Sequence, residues 1–193
     1  FDLQVEFNPA ADPVDVPALQ PKGFYRFEQP ADAVSFTDSS VTARPFTAAA
    51  APANPVIFRD EGQRSSALRF DGGDYAEMSG GPEVFTGDFS FSIWINPSTT
   101  NDGQVFFSKH SPTGANRFLC QFLNNSYHFR LGGISFNTGT GLKKTGWQHL
   151  AVTGRKSGAN TDIVFWRDGA VLGTTTLTAV TAGNFTGLPW LLG

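Results

Sequence analysis

Residues 89–95 read Phe89-Ser90-Phe91-Ser92-Ile93-Trp94-Ile95. Four large apolar side chains fall on every second position, with Ser90, Ser92 and Trp94 between them. Only a strand with one buried face puts those four on one side, because side chains alternate along a strand and spiral around a helix. The same alternation opens the chain in Phe1-Asp2-Leu3-Gln4-Val5-Glu6-Phe7. Further strand candidates are Ala67–Phe70, Tyr75–Met78, Gln104–His110, Asn116–Leu123, Ser126–Leu131 and Ile134–Asn137, then Trp147–Thr153, Thr161–Arg167 and Ala170–Thr176. Turn signals separate them at roughly 8–12-residue intervals, and no segment carries a convincing helical period. Asp168-Gly169 suits a type I′ hairpin turn, in which both central residues need positive φ. The pattern predicts an all-β fold, two antiparallel sheets stacked as a sandwich.

Composition bounds the function. The chain has 193 residues, enough for one domain with a real core, and 19 of them are Phe. Only 16% are charged and the net charge is -3, so there is no basic field to grip nucleic acid. The single cysteine, Cys120, excludes a disulfide framework and leaves a thiolate zinc site without its ligands. No apolar run approaches the roughly 18 residues that span a bilayer, so direct membrane insertion is not expected. The chain starts at Phe1 without an initiator and reads as a piece of something longer. Residues 1–22 read as a strand followed by a linker or surface strap, with Pro9, Pro13, Pro17 and Pro21 breaking regular structure. Residues 23–193 read as the sandwich. Within it, residues 38–66 read as a long loop with one short strand at Val56-Ile57-Phe58.

Four segments occur in order: Leu68-Arg69-Phe70-Asp71-Gly72-Gly73-Asp74-Tyr75, Phe89–Ile95, Gly146-Trp147-Gln148-His149-Leu150-Ala151-Val152 and Phe165-Trp166-Arg167-Asp168-Gly169. Each is weak alone. Together they resemble the laminin-G-like group of the concanavalin A-like lectin/glucanase superfamily, over roughly residues 23–193. The resemblance implies a jelly roll with one concave sheet. That family continues past the strand that Trp190-Leu191-Leu192-Gly193 begins, with a final strand beside its N-terminal one. Here the sandwich is expected either to lack that strand or to fill its place. The filler would be Phe1–Phe7 or a strand from a neighbouring domain of a longer chain. Many relatives hold one structural Ca²⁺ at the sandwich rim, and the resemblance implies Asp38, in Thr37-Asp38-Ser39-Ser40, as a ligand. The other reading of Asp38 is an Asx-turn, in which the carboxylate bonds its own backbone.

Catalysis finds little support. Glycoside hydrolysis needs paired carboxylates a fixed distance apart, and no strand candidate from Ala67 onward carries two on one face. Asp168 is explained by its turn, and Asp71 and Asp74 by theirs. Gln121, His128, Arg130 and His149 are fragments of the polar cluster that lyases of this superfold carry, without the lyase motifs. Binding is better supported. Alternation puts Trp94, Trp147 and His149 on faces turned away from the core, where indole rings stack on sugars and His bonds hydroxyls. Packing remains the competing role, since relatives usually carry Trp at positions 94 and 147 whatever they bind. His128 and Arg130 join the ligand-binding candidates. The loop residues His110, Asn124, Asn125 and Tyr127 offer another site, and Trp166 is ambiguous because its strand is apolar on both faces. Asn124-Asn125-Ser126 and Asn184-Phe185-Thr186 match the glycosylation pattern.

The sequence-level expectation is a non-catalytic, carbohydrate-binding module of a secreted or cell-surface multidomain protein. Its partners would be a surface glycan and the neighbouring domains. The alternative is a structural or assembly domain of an adhesin, surface or virion protein, acting through strand contacts. A glycoside hydrolase or polysaccharide lyase comes third.

Overall fold

The structure, a computed structural model, describes residues 3–6, 25, 27, 33–40, 43–49, 60–61, 66–70, 72, 75–79, 87–110, 117–178 and 188–193. The strap expected over 8–22, the short strand at 56–58 and the Asn184 motif lie outside the described residues. Every regular element described is a strand. In chain order these are β1 (Leu3–Glu6), β2 (Ser35–Phe36), β3 (Phe46–Ala49), β4 (Asp60–Glu61), β5 (Ser66–Phe70), β6 (Tyr75–Met78), β7 (Phe89–Pro97) and β8 (Val105–His110). There follow β9 (Arg117–Leu123), β10 (Ser126–Leu131), β11 (Ile134–Asn137), β12 (Gln148–Ser157), β13 (Asn160–Arg167), β14 (Ala170–Leu177) and β15 (Trp190–Leu192). They form two antiparallel sheets, ordered β14-β13-β12-β7-β1-β5-β4 and β11-β10-β9-β8-β15-β6-β3-β2.

Alternation explains which face each strand buries. On β7, Ile93, Ile95 and Pro97 are buried while Ser90 is exposed. Register carries that face across the sheet: Ile93 pairs with Leu150, and Val152 with Phe165, all of them buried. The opposing sheet contributes Phe107, Phe118, Phe122 and Phe129. Phe91 meets Phe107 at 3.6 Å between ring centroids, joining the two layers. The Phe excess of the sequence is therefore inter-sheet filling, each fully buried ring worth about 2–3 kcal/mol of transfer free energy. A bulge between Val105 and Phe107 lets the successive residues Phe106 and Phe107 both be buried. At one side, a Cβ on Gly173 of β14 would lie 2.9 Å from the Phe136 ring of β11, so the sandwich closes there through a glycine.

Two elements depart from simple expectation. Residues 38–66 are not all loop: Phe46–Ala49 is a strand, pairing Thr47 with Glu77 of β6 and Phe46 with Phe36 of β2. Sheet context supplies what two alanines lack in strand propensity. Secondly, Leu3–Glu6 stands in the middle of a sheet rather than at its border. Leu3 and Val5 are in register with the buried Phe70 and Leu68 on one side, and with the buried Pro97 and Ile95 on the other.

Candidate functional site

The outward face of the seven-stranded sheet is built by rows of register partners. In one row Trp94 of β7 pairs with His149 of β12. Their rings lie 5.1 Å apart at 41°. In the next row Ser92 pairs with Ala151, and Ala151 with Trp166 of β13. Trp94 and Trp166 thus flank a floor of two small side chains, their backbones about 12 Å apart, two strand steps of ~4.8 Å across the sheet and two residues of ~3.4 Å along it. Trp94, His149 and Trp166 are all half-buried, with the indole Nε1–H of Trp166 donating to Thr153 Oγ1 at 3.4 Å.

The β13–β14 turn fixes the end of this face. Asp168 and Gly169 adopt φ of 52° and 80°, the left-handed pair expected of a type I′ turn. The Asp168 carboxylate accepts the backbone N–H of His149 at 2.9 Å, and the His149 carbonyl accepts the Asp168 N–H at 2.8 Å. Lys144 and Arg167 approach the other carboxylate oxygen at 3.4 and 4.0 Å. Burial pushes the His149 imidazole below its ordinary pKa, partly opposed by Asp168, so its ring is held as a neutral donor and acceptor near neutral pH.

Trp147 lies just before β12, two residues from His149 on the same alternation, but no ring contact joins it to the Trp94–His149 pair. His128 and Arg130 stand elsewhere. Both belong to β10 in the eight-stranded sheet, on its outward side, where His128 pairs with Gln121 and their side chains meet at 3.2 Å. The structure therefore splits the expected polar cluster, putting Gln121, His128 and Arg130 on one sheet and His149 on the other. Arg130 Nε donates to the Gly132 carbonyl at 3.3 Å. Tyr127, expected as a loop contact, is fully buried in the core instead. The tight turn Asn124-Asn125, with φ of 51° and 59°, leads directly into β10 at Ser126, so Tyr127 already lies within the strand and its side chain is buried. The residue that sequence reasoning left unplaced is Trp166, and only its pairing with Ala151 reveals its face.

Asp38 is buried at an isolated bridge to Tyr25. Its Oδ1 accepts the Ser40 N–H at 2.8 Å and its Oδ2 the Arg44 N–H at 3.0 Å. Calcium takes six to eight oxygens. Among the described residues, no three His, Cys, Asp or Glu side chains gather where they could hold a metal ion. Both Asp38 oxygens thus accept backbone amides of the segment that follows it.

Two stacked antiparallel sheets with an aromatic, polar-edged outward face define a β-sandwich of the lectin-like or structural kind. A family model for laminin G domains, described as the concanavalin A-like lectin/glucanases superfamily, matches residues 70–193, and the chain belongs to that family. No curated protein matches the chain.

Proposed function

We propose that the protein is a non-catalytic carbohydrate-binding module, of secreted or cell-surface origin, that takes a sugar ring on the outward face of its seven-stranded sheet. The observation that carries this reading is the pairing of Trp94 with His149, with Trp166 across the Ser92–Ala151 floor. Indole faces stack on the apolar C–H face of a pyranose, and half-buried indoles held by neighbours are organised before the ligand arrives. The small floor residues let the ring approach, and His149 supplies a hydrogen-bonding edge. Among the described side chains of this face, the Asp168 carboxylate holds the His149 backbone and Asp162 accepts the Thr176 hydroxyl at 2.6 Å. That arrangement favours recognition over hydrolysis. Affinity per module would be modest and gain strength through multivalency in a longer chain.

The test is a glycan array, followed by calorimetry on the best hit, with the intact protein and the variants Trp94→Ala, Trp166→Ala and His149→Ala. Each indole removal is expected to weaken binding tenfold or more, equivalent to about 1.4 kcal/mol, while the circular dichroism spectrum stays unchanged. A folded protein that binds no glycan at millimolar concentration overturns the reading. So does binding that survives both Trp substitutions.

A further inference from the structure

Register sets the two indoles of the outward face too far apart for one sugar. Trp166 lies level with Ser92, through Ala151, and Trp94 lies two residues further along β7. Two strand steps of ~4.8 Å and two residues of ~3.4 Å put their backbones about 12 Å apart. A pyranose linked through its C1 and C4 atoms advances a chain by only about 5 Å, given ~1.5 Å per covalent bond. The separation is therefore close to two sugar units. We propose that the ligand is an unbranched β-1,4-linked chain of pyranoses laid obliquely across β7, β12 and β13. One unit stacks on Trp94, the next crosses β12 over Ala151 beside His149, and the third stacks on Trp166. This inference rests on the sugar-binding reading and deepens it, by fixing the linkage and the least length of the ligand.

The linkage follows from the face. Ile93, Ile95 and Phe165 point into the core, so alternation puts Trp94 and Trp166 on the same outward side of one sheet. A chain that reaches both indoles must stay flat and offer the same face at each. Equatorial bonds at C1 and C4 give that shape. Each unit is turned over relative to the one before, so every second unit presents the same face. An axial bond at C1 curls the chain instead, and its third unit leaves the plane of the sheet.

The floor and the anchors fit the same ligand. The Ser92–Ala151 pair carries smaller side chains than the rows on either side, Trp94–His149 and Ser90–Thr153. The middle unit can thus sink between the indoles, with the His149 ring at its flank to bond hydroxyls. Both ends are held before the ligand arrives. Trp94 lies against the His149 ring at 5.1 Å, and the Trp166 indole donates to Thr153 Oγ1 at 3.4 Å. Anchors fixed in this way lose little freedom on binding, so the second stacking contact adds to affinity with little ordering to offset it.

The experiment is calorimetry on the intact chain with β-1,4-linked oligomers of one to six units, built from glucose, xylose, mannose or N-acetylglucosamine. Oligomers of α-1,4-linked glucose serve as the comparison. The expected result is a step: in at least one β-1,4 series, affinity rises tenfold or more between two units and three, and little beyond. Trp166→Ala should remove the step by taking away the far indole. Ala151→Leu should remove it by raising the floor while both indoles remain. Circular dichroism and urea midpoints check that each variant is folded. Equal affinity for two and three units overturns the proposal and leaves the sugar-binding reading standing. A step that survives both substitutions does the same, as does binding confined to glycans other than these β-1,4 chains. A folded protein that binds no carbohydrate at all overturns both.

Discussion

Tyr127 of β10 and Gln148 of β12 bind each other across the two sheets: the phenol hydroxyl donates to Gln148 Oε1 in the fully buried interior. Arg167 Nη1 donates to the same hydroxyl at 3.3 Å and to the Leu142 carbonyl at 2.5 Å. Gln148 Nε2 donates to the Lys144 carbonyl at 2.8 Å. One buried phenol thus ties the eight-stranded sheet to the seven-stranded sheet and to the loop that leads into Trp147 and His149.

Replacing Tyr127 with Phe keeps the ring packing and strands Gln148 Oε1 without its donor. Leaving a buried polar group unsatisfied costs about 1–3 kcal/mol. The Tyr127→Phe protein should show a lower midpoint in urea with an unchanged m-value. Because the Leu142–Lys144 loop loses an anchor, amide hydrogen exchange there should accelerate as well.

Gly154 of β12 has no room for a side chain. It pairs with Phe89, and a Cβ at this position would run into the Phe89 ring, which itself packs edge-on to Phe118 at 5.9 Å. Gly154→Ala should destabilise the fold by about 1–3 kcal/mol through overpacking. The double variant Gly154→Ala/Phe89→Leu should recover part of that loss in thermal unfolding, since the smaller side chain vacates the space.

Legibility of the fold followed the reach of each signal. β7 could be read directly because its alternation is a local property, and the Asp168-Gly169 turn because its two positive φ values demand those residue types. β3 could not, since Phe46-Thr47-Ala48-Ala49 becomes a strand only by pairing with residues 75–77, about thirty positions away. The site shows the same division. Alternation correctly put Trp94 and His149 on the outward sides of their own strands, and register then brought them together. Alternation says nothing about which sheet a strand joins, so His128 and Arg130 were grouped with residues from which a whole sandwich separates them. Trp166 escaped because Ile163-Val164-Phe165-Trp166 is apolar on both faces and carries no period to follow.

Asp38 offers a test that separates a loop clamp from a metal ligand. Its two oxygens accept the amides of Ser40 and Arg44, holding both backbones to one carboxylate that is bridged to Tyr25. Charge-assisted bonds of this kind contribute roughly 1.5–3 kcal/mol each when buried, and less with partial water access. Asp38→Ala is therefore expected to lower stability by about 2 kcal/mol. A chelator should leave the melting curve of the unsubstituted protein where it was. A melting temperature that falls with chelator and recovers with calcium would show that Asp38 serves a metal instead.

Acid should weaken the fold through two histidines. Burial lowers the pKa of His128, with Arg130 adding repulsion, and burial lowers that of His149 against a smaller opposing pull from Asp168. In the unfolded chain both return to about 6.5. Between that value and the lower native values, the unfolded state binds more protons than the folded one. Stability then rises with pH across that interval, is complete above it, and is lost as the pH falls through the native values. The carboxylate of Asp102, held below its ordinary pKa by Lys143, titrates below 3.8 and leaves this interval undisturbed. Urea midpoints should therefore be lower at pH 5.5 than at pH 7.5, and the difference should shrink in His128→Gln/His149→Gln. Equal midpoints at the two pH values in the unsubstituted protein would mean that neither imidazole is held neutral by the fold.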